Sequence, residues 1–176
     1  MHNNTAQWFS GTVRAALAAA LLLCAWLAPA QAQERERTRL ALQVQAAADV
    51  NPDAALRASP IKVRIYELKD SQVFLEADYF SLDEKDKLLL ANDVLVREEF
   101  ILRPGESRRI ERKSHPAAQY LGVLAGYRDL LQSSWRVVHK LPEAPEAAWY
   151  RALVPAQKVA LIVELQAQGI VLTAAP

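Results

Sequence analysis

Apolar residues recur at every second position in several stretches of this 176-residue chain, and this pattern constrains its fold more than any other feature. The alternation is clearest in residues 40–46 (LALQVQA) and 158–166 (KVALIVELQ). Successive side chains of an extended strand point to opposite faces, so each stretch predicts a strand with one buried face. We therefore expect a chain built mainly from β-strands.

Six other segments carry strand signals and are bounded by turn residues. They are residues 61–68, 94–102, 107–113, 120–127, 135–141 and 170–173. The fourth of them is apolar on both faces, which predicts a central strand buried on two sides. About eight strands separated by turns predict a mostly β fold, a two-sheet antiparallel β-sandwich.

Residues 70–91 interrupt the period of two. Val73, Ala77 and Phe80 are spaced three or four residues apart, which is typical of an amphipathic helix. The charged and then apolar run at 83–90 (DEKDKLLL) indicates a second helical turn. We therefore expect one or two short helices inserted around residues 70–91.

The run Arg103-Pro104-Gly105-Glu106 has the proline and glycine of a type II turn. It predicts a hairpin between the strands at 94–102 and 107–113. The second of these strands (SRRIERK) is so polar that we place it at a sheet edge, where charge blocks unwanted pairing.

The charge balance excludes one class of partner. The chain has 21 Lys+Arg and 20 Asp+Glu, for a net charge of +1. A protein that tracks phosphates needs a basic excess, so no nucleic-acid partner is expected. A hydrophobic fraction of 52% also argues against a disordered chain.

No arrangement of side chains predicts catalysis. His115 and His139 have no His or Cys at a metal-ligand spacing, and no Gly-rich phosphate loop is present. Asp83 and Asp86 are interpreted as solvated helix charges, because nothing near them in the sequence would desolvate either carboxylate. We expect a protein that is not an enzyme and has no cofactor, metal or small-molecule substrate.

The first 32 residues differ from the rest of the chain. They contain no acid, one strong base (Arg14) and a 14-residue apolar run at 15–28. As a helix this run would be about 21 Å long, which is too short for a hydrocarbon core of about 30 Å. With Ala30 and Ala32 behind it, the run has the layout of a secretory signal peptide that is cleaved after Ala32. The resulting division is a signal peptide at 1–32, a charged tether at 33–37 and a folded domain at 38–174.

Cys24, the single cysteine, keeps a second interpretation open. A cysteine at the end of an apolar signal run can be the lipid attachment site of a bacterial lipoprotein, with cleavage before Cys24. Leu23 stands where that reaction usually has a small residue. Both interpretations place the mature protein outside the cytoplasm, either lipid-anchored to a membrane or soluble in the periplasm after cleavage at Ala32.

The connection between the first two strands, residues 49–59, is long for a compact β domain, where most connections have about 4–6 residues. Long loops often carry function. Pro52 and Pro60 restrict the backbone and lower the entropy cost of docking, and Leu56 offers an apolar anchor. The predicted partner-binding loop consists of Asp49, Val50, Asn51, Pro52, Asp53, Ala54, Ala55, Leu56, Arg57, Ala58 and Ser59.

Several motifs in a fixed order extend over the whole mature domain. They are Asn51-Pro52-Asp53, SPIKVRIYELK at 59–69, Phe74-x-x-Ala77-Asp78, LRPGE at 102–106, AQYLGV at 118–123, Tyr127-Arg128-Asp129 and Trp135-Arg136. In this order and spacing the chain resembles the TssJ family, outer-membrane lipoproteins of the bacterial type VI secretion system.

The resemblance implies a transthyretin-like β-sandwich with added helices. It implies an outer-membrane anchor through an acylated Cys24, on the periplasmic face. It also implies that the loop at 49–59 binds the periplasmic domain of TssM, which with TssL completes a trans-envelope complex. The alternative is a soluble periplasmic β-sandwich, a binding or chaperone-like module outside a secretion system.

Overall fold

A computed structural model describes residues 38–143 and 157–175. The elements follow in the order β1 (Arg39–Ala46), β2 (Ile61–Leu68), α1 (Gln72–Glu76), α2 (Tyr79–Leu89), β3 (Val94–Leu102), β4 (Ser107–Lys113), β5 (Tyr120–Ala125), β6 (Arg136–Lys140), β7 (Lys158–Leu165) and β8 (Ile170–Ala174). The predicted mostly β fold and the helices inserted around 70–91 are confirmed. The predicted signal peptide, Cys24 and the tether lie outside the described residues.

The strands form two four-stranded sheets, ordered β4-β1-β7-β8 and β3-β2-β5-β6. Five of the six strand pairs are antiparallel, as predicted. The sixth pair, β1 with β7, is parallel and runs from Arg39 opposite Lys158 to Ala46 opposite Leu165. Alternation predicts which face of a strand is buried, but it does not specify the direction of the neighbouring strand.

The main core fills the space between the two sheets. In β1, Leu40, Leu42 and Val44 are at most 1% exposed, which confirms the face that the alternation predicts. The second sheet contributes the alternate side chains of β2 and β5, and the first sheet contributes those of β7. Burial of these side chains stabilises the fold by about 25 cal/mol per Å² of apolar surface removed from water.

A second, smaller core lies on the outer face of the second sheet. Tyr66 and Leu68 of β2 pack there against Phe74 of α1 and Leu82 of α2. Their cluster explains why β2 is buried on both faces: one face meets the opposite sheet and the other lies beneath the helices.

The Pro104-Gly105 turn forms, but the hairpin prediction is wrong. Gly105 adopts a φ of +77°, and the Glu106 N–H donates to the Arg103 carbonyl at 2.9 Å, as the type II signature requires. The turn nevertheless joins β3 of one sheet to β4 of the other. The residues of the turn specify only that the chain reverses direction. Which strands pair depends on which apolar faces the whole fold buries. The prediction that β4 is an edge strand is confirmed.

The interpretation of Asp86 as a solvated charge is also wrong. Asp86 is 5% exposed, and its Oδ2 accepts hydrogen bonds from Tyr66 Oη at 2.8 Å and from Arg97 Nε at 2.5 Å. Asp83 pairs with Arg64 at 2.9 Å and with Lys62. The outer face of β2 carries cations and a tyrosine beneath α2, and a pattern read along the helix alone does not reveal these partners.

Candidate partner-binding site

Four connections meet at one end of the sandwich, which we name the loop end. They are residues 47–60, 103–106, 126–135 and 166–169. Backbone hydrogen bonds join them, since the Ala47 N–H donates to the Leu165 carbonyl at 2.9 Å and the Gly105 N–H to the Ala46 carbonyl at 3.1 Å. The Ser134 N–H donates to the Gln168 carbonyl at 2.9 Å. The predicted loop at 49–59 is therefore one part of a larger surface.

Asp53 organises the tip of the predicted loop. Its Oδ1 accepts the backbone N–H groups of Ala55 and Arg57, both at 2.9 Å, in the manner of an Asx turn. The Arg57 guanidinium pairs with Oδ2 at 2.8 Å. These hydrogen bonds from the backbone and side chain of Arg57 lower the pKa of Asp53 below its usual value of 3.8. The tip therefore keeps a defined conformation although it faces solvent.

Leu56 lies at this tip with a strained backbone and an exposed apolar side chain. Its φ is +59°, in the left-handed region that a bulky side chain rarely adopts, and its side chain is 84% exposed. Strained backbone and an exposed large apolar side chain both cost free energy, and strained residues cluster at functional sites. Leu56 is thus the residue of the loop best suited to contact a partner.

Asn51 joins the base of this loop to the connection at 126–135. Its Nδ2 donates to the Pro60 carbonyl at 3.0 Å, and its Oδ1 accepts the Arg128 N–H at 2.8 Å. Asn51 is 3% exposed and has a φ of +51°, a conformation that asparagine tolerates better than most residues. It positions the neighbouring loops and does not itself face solvent.

The predicted loop residues therefore divide into two groups. Val50, Asn51 and Ser59 are buried and form the base, where the Ser59 N–H donates to the Val50 carbonyl at 3.1 Å. The other eight face solvent fully or in part: Asp49, Pro52, Asp53, Ala54, Ala55, Leu56, Arg57 and Ala58. The second group supplies most of the surface that the loop offers for a contact.

Two adjoining grooves open at the loop end. One has a volume of about 500 Å³ and is lined by residues 51–54, Leu56, residues 127–129, Ser133 and residues 167–168. The other, of about 670 Å³, is lined by residues of the β1–β2, β5–β6 and β7–β8 connections. Tyr127 supports the first groove from below, where its hydroxyl donates to the Gln166 carbonyl at 3.1 Å.

The prediction of a single binding loop did not include the residues from the connection at 126–135. The sequence held a signal for them, because Tyr127-Arg128-Asp129 is among the motifs that carry the family resemblance. That connection also exposes Leu131, whose side chain is 95% accessible to solvent.

Neither a cluster of metal ligands nor a membrane-spanning helix is found in the described part of the chain. Residues 38–143 and 157–175 contain no cluster of three or more metal-ligating side chains. Neither helix in these two ranges is long and apolar enough to cross a membrane.

The family model for the type VI secretion lipoproteins VasD, EvfM, TssJ and VC_A0113 matches residues 38–168. No curated protein matches the chain. Among solved structures, the T6SS lipoprotein TssJ1 from Pseudomonas aeruginosa is 38% identical, with a TM-score of 0.71, and the match covers 80% of this chain and 98% of that one.

Two further structures are similar. Lip from Serratia marcescens, described as a membrane-bound component of the type VI secretion system, is 30% identical with a TM-score of 0.69, over 77% of this chain and 97% of Lip. A chain of a structure described as the T6SS protein TssM C-terminal domain (869–1107) from EAEC is 28% identical, with a TM-score of 0.57, over 76% and 99% of the two chains. The protein therefore belongs to the TssJ family of type VI secretion lipoproteins.

Proposed function

We propose that this protein is a structural component of the trans-envelope membrane complex of a type VI secretion system, and that its loop end binds the periplasmic domain of TssM. The observation that carries the proposal is Leu56, an exposed apolar side chain that the Asp53 turn holds in a strained backbone conformation. A partner that buries the Leu56 side chain offsets the cost of its exposure, and the preformed turn lowers the entropy cost of docking. Membership of a secretion lipoprotein family favours this role over a stand-alone periplasmic module.

The placement of the domain's entry point supports the proposal. Thr38 lies at the opposite end of the sandwich from the loop end, where its carbonyl accepts the Ser114 N–H at 2.8 Å. The eight residues of β1 separate the two ends by about 26 Å, at about 3.3 Å per residue. A domain anchored through the segment before Thr38 would therefore present its loop end to a partner on the side away from the anchor.

The EAEC structure supports a direct complex. The alignment covers 76% of this chain, or about 134 residues, and 99% of the matched chain. A TssM fragment with positions 869–1107 has 239 residues, so the matched chain is too short to be that fragment. We interpret it as a TssJ-like chain that accompanies the TssM domain.

The location follows from the same proposal. A lipid on Cys24 would hold the protein on the periplasmic face of the outer membrane, and TssM would link it to TssL. Metabolic palmitate labelling tests the anchor: we expect label in the exported wild-type protein and none in Cys24→Ser. A mature chain that begins at Gln33 would exclude lipidation and leave a soluble periplasmic protein.

Replacement of Leu56 by asparagine tests the binding site. Asparagine removes the apolar contact and tolerates the positive φ, so the fold should be unaffected. We expect the affinity of the exported protein for the TssM periplasmic domain to fall by about tenfold or more, as at a binding hot spot. Biolayer interferometry with immobilised TssM domain measures this change.

Leu88→Asn is the matched control, because Leu88 is 80% exposed on α2 and lies outside the loop end. It should bind like the wild type. A deletion of residues 54–58 provides a second variant, since the base of the loop stays closed by the bond from Ser59 to Val50. If both loop variants fold and bind TssM as tightly as the wild type, the contact lies elsewhere, and the helical insertion becomes the next candidate.

A further inference from the structure

We infer that the β5–β6 connection, residues 126–135, is a second arm of the partner-binding surface and that Leu131 is its apolar anchor. This inference rests on the proposed function and takes the TssM periplasmic domain as the occupant. It goes beyond the predicted loop at 49–59, which contributes only one side of the loop end.

Leu131 is the most exposed of the large hydrophobic side chains in the described residues, at 95%. Its neighbours in the chain line the grooves of the loop end: Ser133 lines the smaller groove and Gln132 the larger one. An exposed leucine beside a concave surface is suited to enter an apolar recess of a partner while the grooves receive polar groups.

In both loops an aspartate side chain closes a turn that contains the exposed leucine. In the first loop, the Asp53 carboxylate accepts backbone N–H groups and holds Leu56 within the turn that it closes. In the second loop, Asp129 Oδ1 accepts the Gln132 N–H at 3.2 Å and encloses Leu131 in a turn. Each apolar side chain is therefore presented from a preorganised backbone, which lowers the entropy cost of docking.

A hydrogen bond connects the loop at 49–59, which is the first arm, to the second arm at 126–135. Asn51 Oδ1 accepts the Arg128 N–H at 2.8 Å, and residues of both arms line the same groove. A partner that covers Leu56 therefore meets a surface that continues into the second arm without a break. This continuity is the reason for assigning both arms to one occupant rather than to two different partners.

The chemistry of the occupant follows from the residues that face it. The surface offers two separate leucines with polar and charged groups between them, among them Arg128 and Asp129, which are exposed. Because these charges are of both signs, they orient a partner rather than attract one by net charge. The complementary face of TssM should carry two apolar recesses separated by hydrogen-bonding groups.

Affinity measurements on three single variants of the exported protein test this inference. Leu56→Asn, Leu131→Asn and Leu88→Asn each replace a leucine that is at least 80% exposed, so all three variants should fold and unfold cooperatively in urea. Small shifts of the urea midpoint in opposite directions are expected for two of them, because asparagine relieves the positive φ at position 56 and is a weaker helix former than leucine at position 88. We expect the affinity for the immobilised TssM periplasmic domain to fall by about tenfold for Leu131→Asn. Leu88→Asn should stay within twofold of the wild type.

The outcomes separate this inference from the proposed function. If Leu56→Asn weakens binding and Leu131→Asn does not, the inference of a second arm is overturned and the proposed function stands. If Leu131→Asn and Leu88→Asn weaken binding equally, the effect is not specific to the loop end and the inference fails. If wild-type protein does not bind TssM, both fail. Leu131→Ala serves as the second variant should Leu131→Asn unfold.

Discussion

Asn51 shows how one buried side chain determines the geometry of the loop end. Its amide forms one hydrogen bond within its own loop and one with the backbone of the neighbouring connection, while its backbone occupies the left-handed region. A smaller apolar residue would lose both hydrogen bonds and leave the Arg128 N–H and the Pro60 carbonyl without these partners. The sequence indicates a turn at Asn51-Pro52-Asp53, but it does not indicate the bond to Arg128, 77 positions away.

We predict that Asn51→Ala lowers the free energy of unfolding by about 2–4 kcal/mol, from two lost hydrogen bonds and the strain of alanine at positive φ. Urea denaturation measures the loss. Asn51→Gly is the matched control, because it loses the same hydrogen bonds but tolerates the backbone conformation. It should be less destabilised than Asn51→Ala. Equal losses in the two variants would show that the positive φ carries no cost.

At the scale of elements, α2 is attached to the second sheet by charge as well as by apolar contact. Arg64 lies on the outer face of β2, where its NH1 donates to the Leu82 carbonyl of α2 at 2.9 Å. Arg97 of β3 bridges Asp86 at 2.5 Å and Glu99 at 2.7 Å. Burial raises the pKa of Asp86, but hydrogen bonds from Arg97 and Tyr66 outweigh it and bring that pKa below 3.8.

The lowered pKa of Asp86 predicts that the stability of the fold depends on pH. A carboxyl whose pKa is lowered in the fold stabilises it above the unfolded value of 3.8, and this contribution is lost as the pH falls through the lower folded pKa. Asp86→Asn should therefore cost about 2 kcal/mol at pH 7, because Arg97 loses a charged hydrogen-bond partner while it keeps Glu99. The difference from the wild type should shrink below pH 3.8.

Urea denaturation at several pH values measures the effect of Asp86→Asn. Glu84→Gln removes an exposed carboxylate from the same helix and should change stability little at any pH. A loss for Asp86→Asn that is constant from pH 7 to pH 2 would contradict the role assigned to its charge.

The first helix depends on a close approach to β5. A side chain added at Gly122 would lie 3.2 Å from both Leu68 and Phe74. Gly122→Val should therefore displace Phe74 and cost about 1–3 kcal/mol through overpacking. Phe74→Ala makes room for the valine, so the double variant should lose less stability than the sum of the two single variants. If the stability losses of the two single variants, measured by thermal unfolding, add up to the loss of the double variant, α1 does not pack on Gly122 in this way.

The sequence predicted the bounds of single strands better than it predicted which strands pair with each other. All eight strands were expected to within two residues of their ends, because alternation and turn residues are local signals. The parallel pairing of β1 with β7 and the separation of β3 from β4 depend on contacts between distant segments. Likewise the loop at 49–59 was visible from its length, whereas the arm with Leu131 becomes part of the site only when the sandwich brings the connections together.

At the scale of the whole molecule, β1 connects the end where the described chain begins to the loop end. β1 lies between β4 and β7 and is hydrogen-bonded on both sides. The segment before Thr38 enters at one end of β1, and the predicted loop leaves from the other. In the proposed complex, tension between a membrane anchor and TssM would pass along this strand, which is held by both of its neighbours.

Hydrogen–deuterium exchange of the exported protein, with and without the TssM periplasmic domain, tests the central claim most directly. The claim is that the partner binds the loop end. We predict that TssM slows exchange in residues 49–59 and 126–135 and leaves the helical insertion at 70–91 unchanged. Slowed exchange confined to the insertion, with no change at the loop end, would contradict the account.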